Sequence, residues 1–158
     1  MIDERSAKYI ETLIPEVKKA FTDFVLEAKE LLKEEGLDYR VICGTRTWEA
    51  QAALYAKGRT APGPKVTNAK PGSSMHNFGI AIDCGVFRGK HYLDDGTPEE
   101  KRLADRMHKL CGAIASKHNL RWGGNFKSIY DPPHYEYNTP YSLAELCSRR
   151  EQKRSLIS

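Results

Sequence analysis

Two histidines and two aspartates stand in short runs that could together hold and use a metal ion: Ser74-Met75-His76, Gly79-Ile80-Ala81-Ile82-Asp83 and Asp131-Pro132-Pro133-His134. Imidazole nitrogen and carboxylate oxygen both suit Zn2+. A hydrolytic zinc needs three protein ligands, a position open to water and a nearby base. His76, Asp83 and His134 supply the ligands, and Asp131, three residues before the last of them, supplies the base. Side chains in the strand-like run Ile80–Cys84 alternate faces, so Ala81 and Asp83 share one face while Ile80, Ile82 and Cys84 take the other. Cys84 is thereby excluded as a ligand. The same alternation puts His134 and Glu136 together, where Glu136 reads either as a hydrogen-bond partner of a ligating imidazole or as a surface carboxylate. Two prolines fix the direction of Asp131 relative to His134; alone, such an aspartate reads as a turn residue. Arg46 follows a predicted strand, at an edge where a guanidinium either stabilises an oxyanion or forms an ordinary salt bridge. The chemistry these residues describe is amide hydrolysis by metal-activated water. Neither a His-Glu-x-x-His helix nor a Gly-x-Ser-x-Gly elbow is present, which excludes the helix-borne zinc site and the serine hydrolase elbow. His91, His108 and His118 read as surface or packing residues.

The elements that must position these residues follow from periodicity and caps. Val17, Ala20, Phe21, Phe24, Ala28, Leu31 and Leu32 share one helical face. Pro15 opens that helix, separating it from a shorter turn near Ser6–Leu13, and Gly36 ends it. Tyr39–Cys43 alternates like a strand. Thr47 caps a short helix through Ala56, and residues 58–72, rich in proline and glycine, form a loop. Phe78–Val86 reads as a strand turning through Arg88-Gly89-Lys90 into His91–Leu93, with Asp94-Asp95-Gly96 as a turn. Thr97-Pro98-Glu99-Glu100 is a capping box opening a helix whose Leu103, Met107, Leu110 and Ile114 face the core. Trp122-Gly123-Gly124 reads as a turn, His134–Tyr137 as a last strand, and Ser142–Glu145 as a second capping box. The predicted class is α+β, a small antiparallel sheet packed with helices.

The 158 residues suit one domain: N-terminal helices over 3–35, a catalytic core at about 37–138, and a C-terminal helix with a basic tail over 141–158. At 40% hydrophobic and 29% charged residues, the composition is that of an ordinary globular chain, and no apolar run approaches a membrane span. Met1-Ile2-Asp3-Glu4-Arg5 does not read as a signal peptide, so synthesis in a cytoplasm is the expectation. Cys43, Cys84, Cys111 and Cys147 lack Cys-x-x-Cys spacing and read as free, buried thiols. The net charge of +4 is concentrated in Arg149-Arg150-Glu151-Gln152-Lys153-Arg154, read as a solvated helix end or as a tether to an anionic envelope. No aromatic-basic stripe points to nucleic acid, and a monomer is expected.

Ser74-x-His76-x-x-Gly79-x-Ala81-x-Asp83 with Asp131-x-x-His134 resembles the D-alanyl-D-alanine carboxypeptidase and L-alanyl-D-glutamate peptidase family of zinc enzymes. Gly44-Thr45-Arg46 with Gln51, Leu54-Tyr55 and Gly58-Arg59-Thr60 carries the same likeness, as does Trp122-Gly123-Gly124-x-Phe126. The similarity runs from roughly Tyr39 to Tyr137 and is strongest to the endopeptidases found as phage endolysins and bacterial wall hydrolases. It implies a D-Ala-D-Ala metallopeptidase-like fold of the hedgehog/LAS type, with one Zn2+ on His76, Asp83 and His134. Asp131 would be the base and Arg46 the oxyanion partner. Ser74 would contact substrate or support His76, and Trp122 and Phe126 would shape the cleft or pack beneath it. Peptidoglycan stem peptides would be the substrate, cut between L-alanine and D-glutamate. The enzyme would reach the wall after the host membrane is permeabilised. Rival expectations are a D-alanyl-D-alanine carboxypeptidase, a catalytically silent zinc-binding wall module, and a nucleic-acid binder acting through the basic tail.

Overall fold

Asp3 starts the first helix by accepting a hydrogen bond from the Ser6 amide at 2.9 Å, and α1 (Glu4–Glu11) follows. In this computed structural model, which describes all 158 residues, α2 (Pro15–Lys33) begins at Pro15, whose fixed φ and missing N–H suit the first turn. It buries Val17, Phe21, Phe24, Val25, Ala28 and Leu32. Next come β1 (Asp38–Cys43) and α3 (Trp48–Ala56), the latter capped by Thr47. β2 (Ala81–Arg88) turns through Gly89, at φ 60°, into the short β3 (His91–Tyr92). The capping box at Thr97 and Glu100 opens α4 (Pro98–Gly112). β4 (Leu120–Trp122), β5 (His134–Tyr137) and α5 (Leu143–Glu151) complete the chain.

The strands form one antiparallel sheet in the order β1-β2-β5-β4, with β3 paired to β2. Tyr39, Val41, Ile82, Cys84, Val86 and Tyr135 point into a core shared with α2, where the Phe24 and Tyr135 rings lie 4.4 Å apart. Burial of each such large side chain contributes on the order of 2 kcal/mol. The opposite face is left free to carry polar groups. A bulge lies between Val41 and Cys43, and beyond it Cys43 stands opposite Asp83, which in turn stands opposite His134. Cross-strand partners project to the same face, so the three side chains form one row.

Four readings of the sequence are corrected. The segment from Met75 to Phe78 is a 3-10 turn, and β2 begins only at Ala81 because Gly79 adopts a left-handed conformation (φ 72°). Trp122, read as the start of a turn, instead ends the strand Leu120–Trp122, which pairs with β5. On α4 the buried face is Ala104, Met107, His108 and Cys111; Leu110 is 39% exposed and Ile114 lies beyond the helix. Asp94 is more than a turn residue: it accepts from the Val86 amide at 2.8 Å and bonds His108, whose other nitrogen meets the Tyr39 hydroxyl at 2.6 Å.

The basic tail is not a loose end. Thr139 Oγ1 donates to the Leu156 carbonyl at 2.6 Å, Tyr141 donates to that of Ser158 at 2.7 Å, and Leu156 and Ile157 pack on the core. No helix is long and apolar enough to cross a membrane.

Candidate active site

The free face of the sheet meets the 3-10 turn at three polar atoms. His76 Nε2 and His134 Nδ1 each lie 3.2 Å from Asp83 Oδ1, and the imidazole centroids are 5.1 Å apart. His76 arrives from the turn, Asp83 from β2 and His134 from β5. Ser74 caps the turn, its hydroxyl accepting from the His76 amide at 3.3 Å. Gly79 ends it where a Cβ would come within 3.1 Å of Ile14, so a side chain is opposed by both conformation and space. The outward nitrogen of each imidazole also has a partner. His76 Nδ1 lies 2.8 Å from the Gly44 carbonyl, and His134 Nε2 lies 2.8 Å from Glu136, which Arg121 pairs at 3.0 Å.

That donor set fits a divalent zinc. The outward contacts place an N–H on His76 Nδ1 and on His134 Nε2, which leaves His76 Nε2 and His134 Nδ1 with lone pairs aimed inward beside a carboxylate oxygen. Without a cation, both inward nitrogens must be protonated to meet Asp83. Burial works to lower the two imidazoles, but their hydrogen bonds, chiefly to Asp83, outweigh it and raise His76 to about 10 and His134 to about 9. Burial would raise Asp83, yet the two histidines hold it below the ordinary carboxylate range. A bound metal therefore replaces protons at this centre.

The centre opens into a cleft of about 980 Å³ lined by Ser74, Met75, Phe126, Asp131, His134 and Glu136, and by the loops around residues 65–69 and 128–130. Asp131 is half-buried, and burial pushes its carboxyl above the ordinary aspartate value. Its amide donates to the Gly123 carbonyl at 3.1 Å, and its carbonyl accepts from His134 at 3.1 Å. A Cβ on Gly123 would sit 2.1 Å from that carbonyl oxygen, so only glycine permits this approach.

The sequence pattern of the D-alanyl-D-alanine carboxypeptidase family matches residues 67–137. The peptidoglycan L-alanyl-D-glutamate endopeptidase CwlK of Bacillus subtilis is 34% identical over 113 residues, 68% of this chain and 65% of CwlK. The chain thus spans just under two thirds of that relative's length. It is similar to the D-alanyl-D-alanine carboxypeptidase family over residues 67–137, and to CwlK over 113 residues. Solved structures agree at the level of fold. The L-Ala D-Glu endopeptidase ChiX of Serratia marcescens superposes with a TM-score of 0.57 at 15% identity, covering 85% of this chain and 86% of ChiX. DacB of Streptococcus pneumoniae D39 gives 0.53 at 17%, covering 95% and 82%.

Within this fold, the other residues singled out from the sequence fall in different places. Phe126 lines the cleft, with its ring 5.8 Å from that of His134. Trp122 is buried beneath it, donating from Nε1 to the Pro132 carbonyl at 2.7 Å and so holding the turn that carries Asp131. Arg46 is half-buried and, like His76 and Asp83, stands behind the residues that line the cleft. Its Nη1 donates to Gln51 Oε1 at 3.0 Å, its Nη2 lies 3.6 Å from Cys43 Sγ, and its amide donates to the His76 carbonyl at 2.9 Å.

Three residues given no role from sequence do structural work here. Asn77 donates to the Arg46 carbonyl at 3.0 Å and accepts from Gly72 at 3.1 Å, tying the turn to β1. Gln51, fully buried, joins Arg46 to the Ala69 carbonyl at 2.8 Å. Cys43 stands behind His76, its Sγ 4.0 Å from Nδ1. Cys43, His76 and Asp83 also form a compact potential ligand group, with atoms within 4.8 Å of one another. We favour the His134 set because Cys43 faces the His76 nitrogen already held by Gly44. The Gln51 position was visible as part of the family likeness; the other two roles depend on contacts made only in the fold.

Proposed function

We propose that this chain is a zinc-dependent endopeptidase that cuts the peptide stem of peptidoglycan between L-alanine and D-glutamate. The convergence of His76 Nε2, Asp83 Oδ1 and His134 Nδ1 beside a cleft lined by His134 and Asp131 carries the reading as a hydrolase. The choice of bond follows CwlK, whose name states it. When bound by these three residues, Zn2+ supplies Lewis acidity toward the scissile carbonyl and lowers the pKa of water to about 7. Gly44 and Glu136 hold the two imidazoles in the tautomers that ligation needs. Asp131, its carboxyl raised by burial, takes the proton of the attacking water at a carboxylate oxygen and returns it to the leaving amine. Arg46 has N–H donors beyond the two engaged by Gln51 and Cys43, and we assign these to the oxyanion. Ser74 supports His76 through its amide. The sequence likeness to phage endolysins supports wall lysis as the setting of this activity, which the release of cell contents from permeabilised bacteria tests.

Mass spectrometry of fragments released from purified peptidoglycan by the zinc-loaded protein tests the reaction. The expected product is stem peptide with a new D-glutamate amino terminus. Asp131→Asn is expected to keep zinc and lose about 10²–10⁴-fold in kcat. Release of D-alanine alone would move the chain to the carboxypeptidase activity for which the matching family is named. Stoichiometric zinc without any product would make it a silent wall-binding module.

A further inference from the structure

The cleft contains a charge that the hydrolytic chemistry does not use. Among the residues lining it, Lys65 is the one lysine or arginine; the other ionisable groups are Tyr130, Asp131, His134 and Glu136. Glu136 is already matched by Arg121 and His134. Lys65 takes part in none of the protein's ion pairs. Its ammonium is free to meet an anion entering the cleft.

The loop that presents Lys65 is built in place. Gly58, at φ 75°, gives way to it: a Cβ there would lie 2.6 Å from the Lys65 nitrogen and 2.8 Å from its Cγ. On the other side of Val66, Arg59 Nη1 donates to the Tyr55 carbonyl at 2.7 Å and to that of Thr67 at 3.1 Å. The same guanidinium stacks 3.9 Å over the Tyr55 ring. Gln51 fixes Ala69 from beneath. The base of the lysine is therefore held while its long stem is left to reach.

We propose that Lys65 determines specificity by binding the free α-carboxylate of the residue whose nitrogen leaves. This rests on the endopeptidase reading above. In a peptidoglycan stem, D-glutamate continues the chain through its γ-carboxyl, so its α-carboxylate stays free on the carbon bonded to the leaving nitrogen. That anion must enter a cleft whose working base, Asp131, is itself a carboxylate, and like charges at close range repel. Lys65 supplies the opposing charge. Amidation of the same carboxyl removes the anion and with it the attraction.

The test uses two synthetic stem peptides that differ only at this group, free carboxylate against carboxamide, with zinc-loaded wild type, Lys65→Gln and Lys65→Arg. Wild type is expected to favour the acid about tenfold in kcat/KM, mostly through KM, as suits one charge-assisted contact. Lys65→Gln removes the preference and Lys65→Arg restores most of it. Calorimetric binding of both peptides to Asp131→Asn protein, with and without Lys65→Gln, gives the same comparison without turnover. A preference that survives Lys65→Gln, or a wild type with no preference in either readout, overturns the proposal. If wild type binds but cuts neither peptide, the endopeptidase reading fails and the binding ratio alone decides the role of Lys65.

Discussion

His76 and His134 present different nitrogens to the centre, Nε2 and Nδ1, and in each case the nitrogen left over has its own acceptor. Those outer contacts make ligand identity testable. A cation seated on Cys43 would compete with the Gly44 carbonyl for His76 Nδ1, whereas one seated on His134 leaves that bond intact. Cys43→Ser is therefore expected to keep one zinc per chain through dialysis, and His134→Ala to lose it, as measured by plasma mass spectrometry. The reverse pattern would make Cys43 the third ligand. Glu136→Gln removes the charge that holds His134 Nε2, and chelator competition should then show zinc affinity lower by about 10–100-fold. His76, Asp83, Asp131 and His134 are legible in the sequence because each lies in a run of a few residues with its own spacing. Cys43 is not. It reads as one more buried thiol, and its place beside His76, 33 residues on, follows from a bulge and a register that set Cys43 opposite Asp83.

At the scale of elements, the caps were the clearest signals. Thr47, Thr97 and Ser142 each accept from the amide three residues on, because a hydroxyl at that position meets an otherwise unpaired helix N–H. β4 escaped notice because three residues around a single arginine offer too short a period to read, and only pairing with β5 defines them. The face of α4 was misread because His108, polar in sequence, is buried by its bonds to Asp94 and Tyr39, which rotates Leu110 outward. Asp3 shows what one cap does for two elements: it caps α1 and pairs Lys29 of α2 at 2.6 Å. Burial works to raise its pKa, but the hydrogen bonds from Lys29 and Ser6 outweigh it and leave the carboxyl depressed. A carboxyl depressed in the folded state contributes stability above its unfolded pKa of about 3.9 and loses it as pH falls through the folded value. Asp3→Ala is expected to cost about 1–2 kcal/mol in urea unfolding at pH 7. The gap from wild type should narrow below about pH 4; a gap unchanged at pH 3 would place the effect in packing rather than charge.

The whole molecule divides its labour between the two faces of the sheet. One face is closed by α2 and a core running from Ile10 to Leu146, and needs no metal to hold it. The other joins the 3-10 turn, β2 and β5 through three polar side chains whose mutual approach costs protons when no cation is present. Around it the chain is braced, with α5 reaching the turn's approach through Cys147 Sγ, 3.4 Å from the Gly72 carbonyl, and the tail folded back over Thr139 and Tyr141. Metal removal should therefore loosen the site without unfolding the core. A ligand at about a thousand times its Kd stabilises by about 4 kcal/mol. For a chain of this size that corresponds to a Tm higher by on the order of 10 °C. Calorimetric scans with zinc and with a chelator should differ by about that amount, while far-UV circular dichroism at 25 °C stays the same. Asp83→Ala, which removes the oxygen shared by both histidines, should show no zinc-dependent shift. If chelation instead abolished the far-UV signal at 25 °C, the α2 face would not be self-sufficient, and the metal would belong to the fold as much as to the chemistry.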